Sequence, residues 1–501
     1  MAKALSQELK DLQKQVEKAA KGFGLDFFEC IYEVLDYDEI NMVAAYGGFP
    51  TRYPHWKWGM EYDRLKKSYD YGLSKIYEMV INNDPCYAYL LESNSLVDQK
   101  LVMCHVTGHN DFFKNNFAFA HTNKKMINEM GNHAARVRRY MDWFCVNEVE
   151  SFIDCALSVE NLIDFNSGYV SNTKNSEEIK DELNSIEKNI ARLPNSKEYM
   201  EHYLNPESFI RRQRLKLLEE QEKKEKQFPK KPTQDILGFL IEHAPLKRWQ
   251  ADILDIIKKE ASYFAPQAMT KIMNEGWASY WHAKLMTEVI LQPADLIDFA
   301  DRHSGVMATS PQSLNPYKLG IELFRDIKER WDRGQFGLEY AQCDDRYKKE
   351  AWDKHTGLGN EKVLQVRKIY SDLTFIDEFL TLDFCKRHKL FSFSYDKRKS
   401  EYVIESRDFA QIKQKLLNSL TNFGRPCIQL VNANHENRSE LLLEHIHYGV
   451  DLDLTYAKET LKNLSLIWSR PVHLVSKLED KNILLSHDGN EYKEQIIVKE
   501  Y

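Results

Sequence analysis

His105 and His109 stand four positions apart in the string CHVTGHN, inside a stretch that reads as helix. On an α-helix that spacing puts two imidazoles on one face, about one turn apart. Helices of the His-Glu-x-x-His type present two nitrogens to a zinc ion in this way. The residue after the first histidine is Val106, however, where those enzymes keep glutamate. The pair points to a metal site and withholds the usual general base.

A third ligand is expected from Glu275, in the string NEGWASYWH. In several helical metallohydrolases a second helix presents Glu-Gly-Trp-Ala-like residues to complete a His/His/Glu site. Glu275 and His282 are seven positions apart, nearly in phase on one helical face, with small Ala278 and Ser279 between them. Two imidazoles, one carboxylate and an open position form a catalytic zinc set. The same ligand types suit non-haem iron. With Val106 in place of the usual glutamate, a general base is expected from Glu260, or second from Glu92. Either could take a proton without occupying the usual position. His282 is expected to act beside the metal, and His303, in DRHSG, to border the pocket from a loop. His121 and His133 read as hydrogen-bonded structural residues. Tyr53, His55, Trp56, Trp58 and Tyr62 read as core or interface, and His445 and His447 as an ordinary strand pair. The sequence carries no Gly-rich phosphate loop, dinucleotide fingerprint or Gly-x-Ser-x-Gly elbow.

These residues need elements to hold them. Asn94-Ser95 marks a turn and an N-cap, and a helix is expected from Leu96 to Asn116. The preceding CYAYLLE, Cys86–Glu92, suits a short strand. As an edge strand beside the metal it would align an extended peptide by strand addition. Further helices are expected over 4–22, 119–140, 143–162, 235–244, 247–263, 266–290, 293–302 and 315–332, with Pro245, Pro266, Pro293 and Pro316 near helix starts. After residue 385 the pattern mixes a hairpin, a helix over DFAQIKQKLLNSLTNFG and several strands, ending in an Asp-Gly turn.

At 501 residues the chain is too long for one ordinary core. Hydrophobic residues make up 43%, so large cores are available. The net charge of −7 gives no general reason to expect nucleic acid as a partner. Eight cysteines lie scattered without a C-x-x-C pair and read as reduced thiols in a cytoplasmic protein. The first 23 residues lack the apolar core of a secretory signal, and no apolar run is long enough for a membrane span. Residues 168–232 turn rich in Lys, Glu, Asn and Ser and read as a solvated insertion or a partner-docking segment. The organisation expected is 1–165, the first part of a helical core; 166–232, the charged insertion; 233–384, the second part of the core; and 385–501, a C-terminal α+β domain. The fold class is mainly α: a large helical, zincin-like domain with a short edge strand or small sheet, plus a smaller α+β domain.

Several long strings resemble the stage V sporulation protein R (SpoVR) family. They are FPTRYPHWKWGMEYDRLKKSYDYGLSKIYEMVINNDPCYAYLLESN, HVTGHNDFFKNN, KRWQADILDIIKKEASYFAPQAMTKIMNEGWASYWH and NPYKLGIELFRDIKERWD. The resemblance covers most of the chain outside the insertion. It implies a cytoplasmic protein linked to spore cortex formation or stress response. It also implies a pathway shared with an AAA-type serine protein kinase and a von Willebrand A-like protein. His105, His109, Glu275 and His282 all fall in these strings. The two-helix ligand set beside a strand, rather than the resemblance, gives the expectation of a zinc-dependent hydrolase of a peptide or amide bond, with a peptide-like or peptidoglycan-derived substrate. The alternatives are a non-catalytic scaffold for the kinase pathway and a non-haem iron oxygenase.

Overall fold

The computed structural model describes residues 3–70, 78–166, 206–226, 228–310, 313–396, 401–479 and 481–497. In chain order the main elements are α1 (Gln7–Gly22), β1 (Cys30–Leu35), α2 (Tyr37–Ala45), α3 (Trp56–Asp70), β2 (Glu78–Ile81), β3 (Cys86–Leu91), α4 (Leu96–Asn115), α5 (Met126–Phe144) and α6 (Val146–Ser158). Then come α7 (Glu207–Lys226), α8 (Ile236–His243), α9 (Arg248–Met269), α10 (Lys271–Leu285), α11 (Leu296–Val306), α12 (Pro316–Asp332), α13 (Gly359–Ile369), α14 (Asp372–Phe379) and α15 (Leu382–Arg387). The last are β4 (Ser392–Asp396), β5 (Glu401–Ser406), α16 (Phe409–Leu420), β6 (Cys427–His435), β7 (Glu440–Ile446), α17 (Leu454–Trp468), β8 (Val472–Leu478), β9 (Lys481–His487) and β10 (Tyr492–Ile496). The protein is mainly helical, with a small C-terminal sheet domain. Most of the expected insertion lies outside the described residues; α7 is its described part. Among the described residues no helix is long and apolar enough to cross a membrane.

The chain divides into two compact units. One comprises residues 1–151 and 259–425, the other 152–258 and 426–501. The boundary in the last third therefore falls after Arg425, not after residue 384. The hairpin β4–β5 and helix α16 belong to the first unit, because α16 packs on α14.

At the centre of the first unit is α4. Its start is fixed by a capping box, in which the Ser95 hydroxyl accepts from the Asp98 N–H and the Asp98 carboxylate from the Ser95 N–H. From Val97 to Phe113 nearly every side chain is buried, so α4 lacks a solvated face. Helix α10 packs between α4 and α12. The approach is close because the residues facing each other are small. A Cβ added to Gly108 of α4 would lie 2.7 Å from the Ala278 Cα of α10. A Cβ on Gly276 would strike the Gly320 backbone of α12, and one on Gly320 would strike the Ile272 carbonyl. Backbones can come this near only where side chains are absent.

The N-terminus of α10 is capped from another helix. Thr270, at the N-cap position, makes no side-chain cap. Instead the Asp372 carboxylate, at the start of α14, accepts from the N–H groups of Ile272 (2.7 Å) and Met273 (2.9 Å). Asp372 is buried. Burial raises its carboxyl from an ordinary value of 3.8 to about 7, against the pull of the two backbone donors.

The first unit carries a three-stranded sheet in the order β1-β3-β2, with β3 parallel to β1 and antiparallel to β2. This corrects the edge-strand expectation. Both hydrogen-bonding edges of β3 are already paired, so it cannot take up a substrate strand. Pro266 is a second correction: it lies inside α9, three residues before the last residue of the helix, rather than starting a new helix. At that point proline forfeits a single backbone bond, and buried Tyr263 and Ala265 hold the last turn in place.

The second unit holds a five-stranded sheet, β10-β9-β8-β7-β6. Its pairs are antiparallel except β7–β8. A parallel pair needs a crossover, and α17 supplies it, packing Leu461 and Leu464 into the core beside β8 and β9.

Two outcomes are expected. Gly320→Ala forces α12 away from α10 and should destabilise the protein by about 1–3 kcal/mol, as overpacking does; denaturant unfolding measures this. For Asp372 the folded carboxyl titrates near 7 and the unfolded one near 3.8. The folded state therefore holds the extra proton between those values, and this group's contribution to stability falls as pH rises from about 4 to 7. Asp372→Asn should flatten that slope and cost about 1–3 kcal/mol at pH 5 through a weakened cap. Unfolding curves at pH 5 and pH 8 test both effects.

Candidate metal centre

Helix α4 brings His105 and His109 to the face against α10, with ring centroids 4.6 Å apart and planes nearly perpendicular. Glu275 is in the second turn of α10. Its Oε2 lies 3.7 Å from the Nε2 of His105 and 3.5 Å from the Nε2 of His109. One donor atom from each residue fits within 4.8 Å of the others. The two N···O distances are too long for hydrogen bonds. Two ligands at tetrahedral zinc distances lie about 3.3 Å from each other, so the spacing suits donors that share one small cation. Glu275 Oε2 is buried and has no hydrogen-bond partner. An orphaned buried carboxylate oxygen facing two imidazoles is a group that a bound cation would satisfy.

The far sides of both rings are held. His109 Nδ1 lies 2.9 Å from the Asn274 side-chain oxygen. His105 Nδ1 lies 2.9 Å from His282 Nδ1, and His282 Nε2 lies 3.0 Å from His303 Nδ1. Such outer partners fix ring orientation and leave the inner nitrogen aimed at the centre. Burial, then the neighbouring His109, hold His105 below the ordinary histidine value. Burial, then His105 and His303, hold His282 well below it. Burial pushes Glu275 up, but the two imidazoles more than offset that and keep it ionised. Bare imidazoles and an ionised carboxylate are the forms that ligate a cation.

His303 is on α11, not in a loop as expected from the sequence. The helix runs past it because its ring stacks on Phe299 one turn earlier, at 5.6 Å. Two ion pairs clamp α11 to α4: Arg302 with Asp98 at 2.9 Å, and Lys100 with Asp295, just before α11, at 2.6 Å. A cavity of about 690 Å³ opens beside these elements, lined by His105, His282, Asp98, Arg302 and Tyr317 together with apolar Leu101 and Val306.

The two carboxylates expected as base lie elsewhere. Glu260 accepts from Arg52 at 2.7 Å and is 3.0 Å from His133 Nδ1, in a separate buried cluster. Glu92 is bonded to Lys3 at 2.6 Å on the surface. Neither lines the cavity. Val106, where a glutamate would act, is fully buried in the apolar core. Sequence reasoning missed Asn274, whose role depends on which side of the ring it reaches. It also missed Asp111, which accepts from Trp277 Nε1 at 2.8 Å and pairs with Arg367 beneath the site.

Comparison with known proteins places the chain in a family. The model for "SpoVR like protein" matches residues 3–425, and that for "SpoVR-like C-terminal domain" matches residues 426–479. A relative from Escherichia coli (strain K12), "Uncharacterized protein YcgB", is 28% identical over 499 residues, covering 94% of this chain and 92% of the relative. No solved structure matches. The junction of the two family models coincides with the division between the compact units after Arg425, and the first model spans both helices of the His/His/Glu cluster: the chain belongs to the SpoVR family.

Proposed function

We propose that this SpoVR-family protein is a metal-dependent hydrolase of a peptide or amide bond, with a zinc ion held by His105, His109 and Glu275. The observation that carries the reading is the convergence of three ligand atoms from two helices around the buried, unpartnered Oε2 of Glu275. When bound, the cation would supply Lewis acidity to an oxygen in the adjoining cavity. The protein's own groups do the rest. Asn274 and His282 orient the two imidazoles. Arg302, steadied by Asp98, offers a guanidinium to a carbonyl or carboxylate of the substrate. Leu101, Val102, Val306 and Leu314 line the same cavity and keep water from the reacting bond. The sporulation link in the family's name makes a peptidoglycan-derived peptide the first substrate class to test.

One feature favours a second reading. Asp98, the carboxylate lining the cavity, is bound to Arg302, so no lining carboxylate is placed to serve as base. A non-haem iron oxygenase uses the same two-histidine, one-carboxylate set without such a base.

Purified wild-type protein from zinc-replete medium should carry close to one zinc per chain. His109→Ala and Glu275→Gln should each lose most of it, and elemental analysis measures the difference. A wild-type protein free of zinc and iron would end both readings. Zinc-loaded protein should cleave stem peptides from bacterial cell wall and stop when a chelator strips the metal. Oxygen uptake by iron-loaded protein, without peptide cleavage, would move the assignment to the second reading.

A further inference from the structure

The three imidazoles of His105, His282 and His303 form a chain, and the chain can point in two directions. Each N···N contact, 2.9 Å and 3.0 Å, needs one nitrogen with hydrogen and one without. His282 is buried, with both nitrogens against other imidazoles and no carboxylate at either, so it carries one hydrogen. In one direction His105 donates from Nδ1 to His282, and His282 donates from Nε2 to His303. This leaves His105 Nε2 bare and puts a hydrogen on His303 Nε2. In the other direction His303 donates from Nδ1 to His282, and His282 donates from Nδ1 to His105. His105 Nε2 then carries the hydrogen, 3.7 Å from the Glu275 carboxylate.

His109 has no such freedom. Its Nδ1 faces the Asn274 oxygen, which can only accept, so its Nε2 is bare in either case. The two ligand histidines thus differ in kind: one is locked and one is reversible.

Resting on the proposed cation site, we infer that His282 and His303 are positioning residues whose hydrogen-bond direction reverses when a divalent cation binds between His105, His109 and Glu275. With no cation bound, the charge of the Glu275 carboxylate, 3.7 Å away and beyond hydrogen-bond reach, favours the hydrogen on His105 Nε2. A cation needs that nitrogen bare and forces the outward direction. The proton count balances: one hydrogen leaves His105 Nε2, one arrives at His303 Nε2, and those between shift across their contacts. Occupancy at the centre is thereby reported on α11, at a nitrogen two imidazoles away. Because α11 is clamped to α4 by the Asp98–Arg302 and Lys100–Asp295 pairs, the contacts persist while the hydrogens move.

The test is long-range ¹H–¹⁵N correlation spectroscopy of the full, ¹⁵N-labelled chain, with zinc chloride as the probe. In wild type, zinc should leave His109 with its hydrogen on Nδ1 and move that of His303 from Nδ1 to Nε2. If zinc shifts His105 Nε2 and the His303 tautomer stays unchanged, the relay is overturned and the cation site stands. If zinc moves neither His105 nor His109, the site and the relay both fall. His282→Phe breaks the chain. It should weaken zinc binding by about 10–100-fold and leave His303 unresponsive to zinc. Unaltered affinity in that variant would also overturn the relay. The wild-type spectra decide the matter alone if the variant does not fold.

Discussion

Everything at the candidate centre depends on how closely three helix backbones approach one another. The ligand atoms come from α4 and α10, far apart in sequence, and a carboxylate reaches two imidazoles one turn apart only if the helices nearly touch. Gly108 against Ala278, and Gly276 against Gly320, remove the side chains that would hold them apart. A single methyl at these positions is larger than the space available. In a close-packed interior such strain is relieved by moving a whole helix rather than one side chain. The glycine of the Glu-Gly-Trp string is therefore a packing requirement for the glutamate before it.

Close approach alone would leave α10 free to slide or rotate against α4. Two buried carboxylates pin it. Asp372 takes the first N–H groups of α10 and fixes its start. Asp111, on α4, takes the Trp277 indole and the Arg367 guanidinium and so links α4, α10 and α13. Burial pushes both carboxyls up, to about 6 for Asp111 and about 7 for Asp372. Ionising such buried groups costs stability. They hold α10 at Ile272 and Met273 and at Trp277, on either side of Glu275, and leave that carboxylate little freedom to turn away.

The convergence of the histidine pair and Glu275 was legible because candidate ligand types are few and helices restrict their spacing. The Ser95 N-cap, the start of α12 and the β4–β5 hairpin were legible for the same local reason. What failed was non-local. CYAYLLE reads as a strand, but nothing within it says that β1 and β2 occupy both its edges. Helix α17 was missed because its neighbours have strong strand signals, and the need for it follows only from the parallel pairing of β7 and β8. Glu260 reads as a candidate base because it falls on the helix before Glu275. Arg52, more than two hundred positions away, decides its actual surroundings. Pro266 reads as a boundary, and the core around Tyr263 overrides it.

Val106 bears on the chemistry most directly. In a His-Glu-x-x-His helix one residue serves as base because its side chain faces the metal-bound substrate. Here that position belongs to the apolar core, and the polar groups near the centre are imidazoles joined to imidazoles instead. A carboxylate base sets one pKa and acts alone. A chain of neutral rings, two of them buried and the last only partly so, can relocate hydrogens between its two ends without creating a charge in the interior, where charge is costly. With Val106 in the core and the histidines at 282 and 303 behind His105, the proposed relay would set proton position at the centre through a network of partners and not through a single acid. Such an arrangement makes the centre's behaviour depend on α11, and hence on the ion pairs that hold α11 to α4.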